Sequence, residues 1–258
     1  MNFQTIVPDK SIALFVKTIW VFENIDSGIK TNLPFFADGY PGLLFQQTAN
    51  GLIVNPHKKQ MPVLFLYGQT LHPIEMEIDG TYQLIIYQLY PFVLKSFFGV
   101  TPKSINDTCY DLAQLPEFDS LTFTKQLLAC SELSQRIEAL TSFLYQMFQL
   151  KKQSLDLTIR QVIEKIILTK GQEPIRAIAK EVELNPRTLE RRFASETGLL
   201  PKQFAQIIQF QLSLEQLTIK DYNKLTDIVY ENGFADQSHF IRVFKAYTGK
   251  TPKVFSKK

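Results

Sequence analysis

This sequence is poor in the residues and runs that mark several common kinds of protein. Its 258 residues hold two cysteines, Cys109 and Cys130, too few for a disulfide framework and not spaced as a metal site. Both read as buried thiols of a reducing cytoplasm. No uninterrupted apolar run reaches the roughly 18 residues of a membrane span. The opening MNFQTIVPDK lacks the basic-then-apolar layout of a secretory leader. Histidine is scarce as well: the first half offers only His57 and His72, with Glu75 and Glu77 nearby and no His-x-His pair. A metal-dependent enzyme on a β-barrel, one alternative for this half, is therefore short of ligands. Gly-x-Ser-x-Gly, Walker-type glycine loops and paired-cysteine motifs are missing too, which removes other common catalytic classes. The expectation is a cytoplasmic protein that is not an enzyme, with no metal, no cofactor and no membrane partner.

What is present is a soluble globular composition, 45% hydrophobic and 21% charged, long enough for one large or two ordinary domains. The net charge of +3 is unevenly divided. Residues 1–169 carry 13 Lys/Arg against 15 Asp/Glu, and residues 170–258 carry 15 against 10. The basic excess sits in the C-terminal third, as expected of a nucleic-acid-binding half.

The first ninety residues read as β. Short apolar runs (Ile12–Phe22, Leu43–Phe45, Leu52–Val54, Val63–Tyr67, Ile74–Ile78, Tyr82–Leu89) alternate with Gly, Pro, Asn and Asp punctuation. Asp79-Gly80 is expected to make a two-residue hairpin between the last two runs. The pattern predicts an antiparallel sandwich or small barrel. From Pro91 the period turns helical: a short helix closing at Gly99, a second over Ser120–Cys130, and a third over Ser131–Leu150. Leu133, Ile137, Leu140, Leu144 and Met147 space 4-3-4-3 along the third. Packing on the β domain is the favoured reading of that stripe, with a homodimer contact as the alternative. Lys151–Ser154 reads as a linker, giving an N-terminal domain over 1–150 and a C-terminal domain over 155–258. The fold class is α+β: a β sandwich or barrel with helices, then an all-α unit.

The C-terminal third repeats itself. Shifted by 51 positions, Arg191 falls on Arg242, Phe193 on Phe244, Thr197-Gly198 on Thr248-Gly249, and Pro201-Lys202 on Pro252-Lys253. In the first copy, Ile175, Ile178, Ala179 and Val182 give a short helix one apolar face. Asn185 is a good N-cap and Pro186 suits the first helical position, so a second helix starts there. In the second copy Leu225, Ile228 and Val229 supply the first face, Asn232-Gly233 the turn, and Asp236 the next cap. Two short helices around a tight turn, used twice, make a pair of helix-turn-helix units.

The stretch Asn185-Pro-Arg-Thr-Leu-Glu-Arg-Arg-Phe193 with Thr197-Gly198 and Pro201-Lys202 resembles the first half of the AraC/XylS transcription-regulator signature. Asp227-Ile-Val-Tyr-Glu-Asn-Gly-Phe-Ala-Asp-Gln-Ser-His-Phe-Ile-Arg-Val-Phe-Lys245, then Tyr247-Thr-Gly-Lys-Thr-Pro252, is similar to the second half. The resemblance implies double-stranded DNA as partner, RNA polymerase as a further one, and activation as the commoner mode. It also implies a long helix over about Pro201–Leu217 joining the units, with recognition helices in successive major grooves about 34 Å apart. Base-reading positions become Arg187, Glu190 and Arg191 in the first unit, and Gln237, Ser238, His239 and Arg242, with Ile241, in the second. Thr188, Lys202, Lys245 and Lys253 become backbone-positioning residues. Two departures from the family pattern stand out: the joining helix has Gln206 and Gln209 where arginines are usual and Leu212-Ser-Leu214 where an alanine-rich stripe is usual, and Val229 replaces a habitual alanine.

In such regulators an N-terminal β domain binds a small effector, mediates assembly, or both. Trp20, Phe36, Tyr40, Phe45 and Tyr87 are the candidates for lining an effector pocket, against ordinary core packing. A regulator whose N-terminal domain serves assembly alone is the alternative.

Overall fold

A computed structural model describes residues 2–116 and 118–256. Ten strands form two antiparallel sheets. The larger sheet contains β1 (Asn2–Ile6), β2 (Val16–Asn24), β4 (Gly42–Thr48), β7 (Leu64–Tyr67), β9 (Tyr82–Leu89) and β10 (Cys109–Asp111) in the order β1-β2-β9-β4-β7-β10. The smaller contains β3 (Lys30–Phe35), β5 (Leu52–Asn55), β6 (Lys59–Gln60) and β8 (Ile74–Asp79) in the order β3-β8-β5-β6.

Alternation along each strand decides which face goes where. On β9, Tyr82, Leu84 and Ile86 point between the sheets, where they meet Leu44, Phe65, Met76 and Ile78. Ile85, Tyr87 and Leu89 point the other way and join a helical core. A strand buried on both faces reads as a continuous apolar run, which is why Tyr82–Leu89 is legible to its last residue.

The expected hairpin at Asp79-Gly80 does not form. β8 pairs with β3 and β5, whereas β9 pairs with β2 and β4, so the turn carries the chain from one sheet to the other. Local turn chemistry reverses the chain but does not choose the strand's partner. The first apolar run also begins as something else. Ile12–Phe15 form a helical turn, with Asp9 Oδ1 accepting from Ser11 N and Asp9 O from Ala13 N (2.8 and 2.9 Å), and β2 starts only at Val16. Four strands were not anticipated: β1, β3, β6 and β10. β3 contains Pro34, which cannot donate to a ladder, and it lies at a sheet edge where that is tolerated.

Helices α1 (Val93–Phe98), α2 (Ser120–Ala129) and α3 (Leu133–Lys151) follow. α1 closes on Gly99 as expected, with the Gly99 N–H bonded to Lys95 O. Along α3, Leu140 and Leu144 are fully buried, and Leu133, Ile137 and Met147 pack against the same core. Tyr87 ties the helix to the sheet, its hydroxyl donating to Ile137 O and meeting Thr141 Oγ1 (both 2.9 Å). The apolar stripe is therefore spent inside the chain, and a homodimer through this seam is not supported. The helical core continues without a break from this face into the C-terminal helices. Replacing Leu144 with Ala should cost about 2–5 kcal/mol of stability, read as a fall in urea midpoint that does not vary with protein concentration. A midpoint that changes with concentration in the parent and not in the variant would return the stripe to a dimer interface.

Candidate nucleic-acid interface

The C-terminal helices are α4 (Leu157–Leu168), α5 (Ile175–Glu181), α6 (Pro186–Thr197), α7 (Pro201–Ile219), α8 (Leu225–Glu231), α9 (Gln237–Thr248) and α10 (Pro252–Phe255). α5 with α6, and α8 with α9, are the two helix-turn-helix units. Their turns match bond for bond. Leu184 N donates to Ala179 O (2.9 Å) and Phe234 N to Val229 O (3.0 Å). The left-handed residue is Glu183 in one turn, φ 54°, and Gly233 in the other, φ 73°. The second turn is one residue longer. Ile175, Ile178 and Ala179 correspond to Leu225, Ile228 and Val229 at a shift of 50, and Ala235 supplies the residue that makes it 51 from the cap onward.

Each second helix is started and stopped by the same chemistry. Asn185 Oδ1 accepts from Thr188 N (2.9 Å) and Asp236 Oδ1 from His239 N (2.7 Å), satisfying first-turn N–H groups. At the other end, Gly198 and Gly249 adopt left-handed φ of 76° and 72°. The preceding threonine does more than the sequence suggested. Thr197 Oγ1 donates to Phe193 O (2.8 Å) and accepts from Leu199 N (3.2 Å). Thr248 Oγ1 likewise donates to Phe244 O (2.7 Å) and accepts from Lys250 N (3.1 Å). A buried hydroxyl at this point closes the helix end and shapes the exit. The Thr-Gly identity in the repeat is the sequence signal of this closure.

Leu189 and Phe193 of α6, and Phe240, Val243 and Phe244 of α9, face inward and are buried. Arg187, Glu190 and Arg191 of α6 are exposed, as are Gln237, Ser238 and Arg242 of α9. None of these six side chains forms an ion pair or a side-chain hydrogen bond. Arg192, next to Arg191, is the contrast: its guanidinium grips Asp156 at the cap of α4 (2.7–3.1 Å), fixing α6 to the helix before it. His239 is turned inward. Its ring packs edge-on to Phe234 at 5.7 Å and its Nε2 lies 3.2 Å from Gln206 Nε2, so its geometry is that of a wedge beneath the helix. Ile241 is half-buried and Thr188 partly covered, while Lys202, Lys245 and Lys253 are exposed.

α7 threads between the units, and its glutamines tie it to the second unit and to the loop before α5. Gln206 reaches His239 and Tyr247, and Gln209 donates to Gly171 O (3.0 Å) and Gly233 O (3.5 Å). Gln216 bridges Glu231 and Asn232. The two glutamines that stand in place of arginines thus hold the second unit against α7 and the loop before α5.

The five aromatic candidates for an effector site are not brought together. Phe45 and Tyr87 lie on the helix-facing side of the larger sheet, fully buried. Tyr40 is buried beneath the Lys17 ammonium, 3.7 Å above its ring. Trp20 and Phe36 border a cleft closed by Gln211 and Leu214 of α7. The cavity of about 300 Å³ lies elsewhere, between the sheets, walled by Phe35, Leu44, Phe65, Met76 and Ile86. Aromatics on adjacent strands alternate between two faces, and composition cannot say which face is hollow. His57 is at the rim of this cavity, and His72 is bonded to Asp107 (2.8 Å). Among the described residues no three His, Cys, Asp or Glu are grouped to hold a metal, and no helix is long and apolar enough to cross a membrane.

With the geometry in view, comparison with known proteins is informative. Residues 178–258 match the family described as a helix-turn-helix domain, and residues 4–111 match a domain family of unknown function, DUF6597. The chain is 33% identical over 76 residues to the transcriptional activator RhaS of Yersinia pestis (strain Pestoides F), 30% of this chain and 28% of that protein. RhaS of Yersinia pseudotuberculosis (strain YPIII) gives the same figures. The match thus spans less than a third of these relatives. Among solved structures, ToxT of Vibrio cholerae is similar over the whole chain and 98% of its own, at 14% identity and a TM-score of 0.46. A probable AraC family regulator of Rhodopseudomonas palustris CGA009 covers 40% of this chain and 96% of its own, at 22% identity and a TM-score of 0.37. The capped, paired units define a double helix-turn-helix protein. The C-terminal domain is of the AraC/XylS helix-turn-helix type, and the match is to that domain alone.

One half-buried carboxyl at the junction of the halves gives a pH signature. Asp38 lies at the bottom of the cleft shared with α7, where burial pushes its carboxyl up to about 6 against the opposing help of Tyr40 N–H, Lys17 and Gln88. The folded chain therefore holds a proton here that the unfolded chain, with an ordinary value near 4, has released. The native state should gain stability as pH falls from about 7 toward 4 relative to an Asp38→Asn variant, which lacks this site. Parallel thermal-midpoint profiles for the two proteins would contradict the assignment.

Proposed function

We propose that this chain is a sequence-specific DNA-binding regulator of transcription, working as an activator in the cytoplasm and engaging RNA polymerase once seated on DNA. The observation that carries this reading is the pair of matched, capped helices whose outward side chains are charged or polar and have no ion pair or side-chain hydrogen bond among the described residues. Unpaired Arg187 and Arg191 on α6, and Arg242 on α9, suit bidentate contact with guanine O6 and N7. Gln237 suits adenine, and Glu190 can accept from cytosine N4. Lys202, Lys245 and Lys253 supply phosphate contacts, which position the protein without reading sequence. His239, held by Phe234 and Gln206, contributes by supporting α9.

The outward faces differ, Arg/Glu/Arg against Gln/Ser/Arg, so one chain reads an asymmetric site. Gln206 and Gln209 are committed to bonds within the C-terminal domain, which lowers the number of phosphate contacts and flattens the salt dependence. The N-terminal domain regulates by binding a small effector, a reading favoured over assembly alone by the cavity between its sheets.

Replacing Arg191 or Arg242 with Ala should weaken binding to the cognate duplex by about 10–100-fold and relax preference at one or two base pairs, measured by fluorescence anisotropy. Equal loss on cognate and random duplexes would reduce these residues to phosphate contacts. No binding of any duplex by the folded parent protein would remove the function.

A further inference from the structure

The cavity between the sheets is apolar inside and basic at its mouth. Phe35, Leu44, Phe65, Met76 and Ile86 form the body, and Lys59 and His57 stand at the rim. The Lys59 ammonium has a hydroxyl partner, Thr108 Oγ1 at 3.1 Å, and no carboxylate. The rim's acid, Asp107, is already occupied: Oδ1 accepts from Leu71 N (2.6 Å) and His72 N (3.0 Å), and Oδ2 meets His72 Nδ1 (2.8 Å). Nearby Glu77 is paired with Lys30 at 2.7 Å. An apolar body with one uncompensated cation at its opening is matched by a ligand of the inverse polarity. At about 300 Å³ the space suits a molecule at the small end of the range for bound ligands.

Two loops close one wall of this cavity, and they are laced together. Residues 68–73 lead from β7 to β8, and residues 101–108 lead into β10. Asp107 N donates to Gln69 O (2.8 Å), Gln69 N to Asn106 Oδ1 (3.3 Å) and Gly68 N to Thr108 O (3.4 Å). The same two loops also touch the ends of both recognition helices, at the repeated Thr-Gly stop, beside the Lys95 contact from α1 to α6. Asn106 Nδ2 donates to Gly198 O (3.1 Å) at the end of α6. The fit there is close enough that a Cβ on Gly198 would fall 2.9 Å from Lys103 N and 3.0 Å from Pro102 C. At the end of α9, Pro73 lies against Gly249, and Ile74 and Glu75 border a cleft with Thr248 and Lys250.

We propose that the cavity between the two sheets is a receptor site for a small, largely apolar anion, and that its occupation is passed to both recognition helices through the two laced loops. Filling the cavity presses on Gly68, Thr70 and Thr108 from below, while Asn106 and Pro73 bear on the ends of α6 and α9 from above. Moving the two contacts relative to each other changes the spacing of the recognition helices, on which simultaneous entry into successive grooves depends. The inference names the ligand class and the route for the effector reading above, and rests on it.

Cys109 lines the cavity and reports its occupancy. The full chain with Cys130→Ser is alkylated with iodoacetamide while titrated with naphthalene-2-sulfonate or with its neutral counterpart naphthalene-2-methanol. The sulfonate should protect Cys109 at a concentration about 10-fold lower than the alcohol, the ratio expected of one charge-assisted contact. Lys59→Gln should abolish that advantage while leaving protection by the alcohol unchanged. Equal protection by both probes, or none by either, overturns the site. Hydrogen exchange on the same protein then tests the route. Saturating sulfonate should alter exchange in the last turns of both α6 and α9, and Asn106→Asp, which keeps the Oδ1 that accepts from Gln69 N and loses the donor to Gly198 O, should lose the effect at α6 while keeping Cys109 protection and the effect at α9. Changes confined to the cavity walls overturn the coupling. No DNA enters either measurement, so a failure here leaves the DNA-binding reading intact, and a failure of that reading leaves these results standing.

Discussion

The way each recognition helix ends constrains everything around it. A helix leaves its last carbonyls without partners, and here the same two residues meet that need twice. Thr197 and Thr248 bond back to the carbonyl four residues earlier and forward to the backbone two residues on, and Gly198 and Gly249 turn the chain left-handed. Because the ends are closed inside the chain, the starts are left free: Asn185 and Asp236 cap them, and the side chains that follow face solvent. The same stop directs the chain into α7 in the first unit and α10 in the second. It is also where the N-terminal domain leans on both units.

The repeat was legible because its determinants are local. A cap, a proline, an apolar spacing and a Gly stop each act within one or two turns, and α6 and α9 follow the sequence reading closely. What is not local was missed. Asp79-Gly80 gave a turn but not the sheet to which β9 belongs. Phe45 and Tyr87 looked like pocket residues because a strand's two faces are indistinguishable until the partner layers are known. His239 sits at a position that looks outward by count, yet Phe234 and Gln206 draw it beneath the helix. The cavity rim (Lys59, Thr108) joins segments far apart in the chain, so no spacing rule exposes it.

The two halves share an apolar core that runs from the sheet's outer face through α3 and α4 into both helix-turn-helix units. Polar contacts then give that interface direction. Lys95 holds Glu196 and Ser195 near the end of α6, and Gln211 donates to Ala37 O from α7. The glutamines of α7 hold the second unit and the loop before α5.

The central claim is that two unlike helix faces on one chain read two unlike stretches of DNA. Selection of the purified full chain against a pool of random duplexes tests it most directly. The account predicts an enriched, non-palindromic site with two blocks of preferred bases about 10 base pairs apart. Enrichment of a palindrome with identical half-sites, or of no sequence at all, would contradict it.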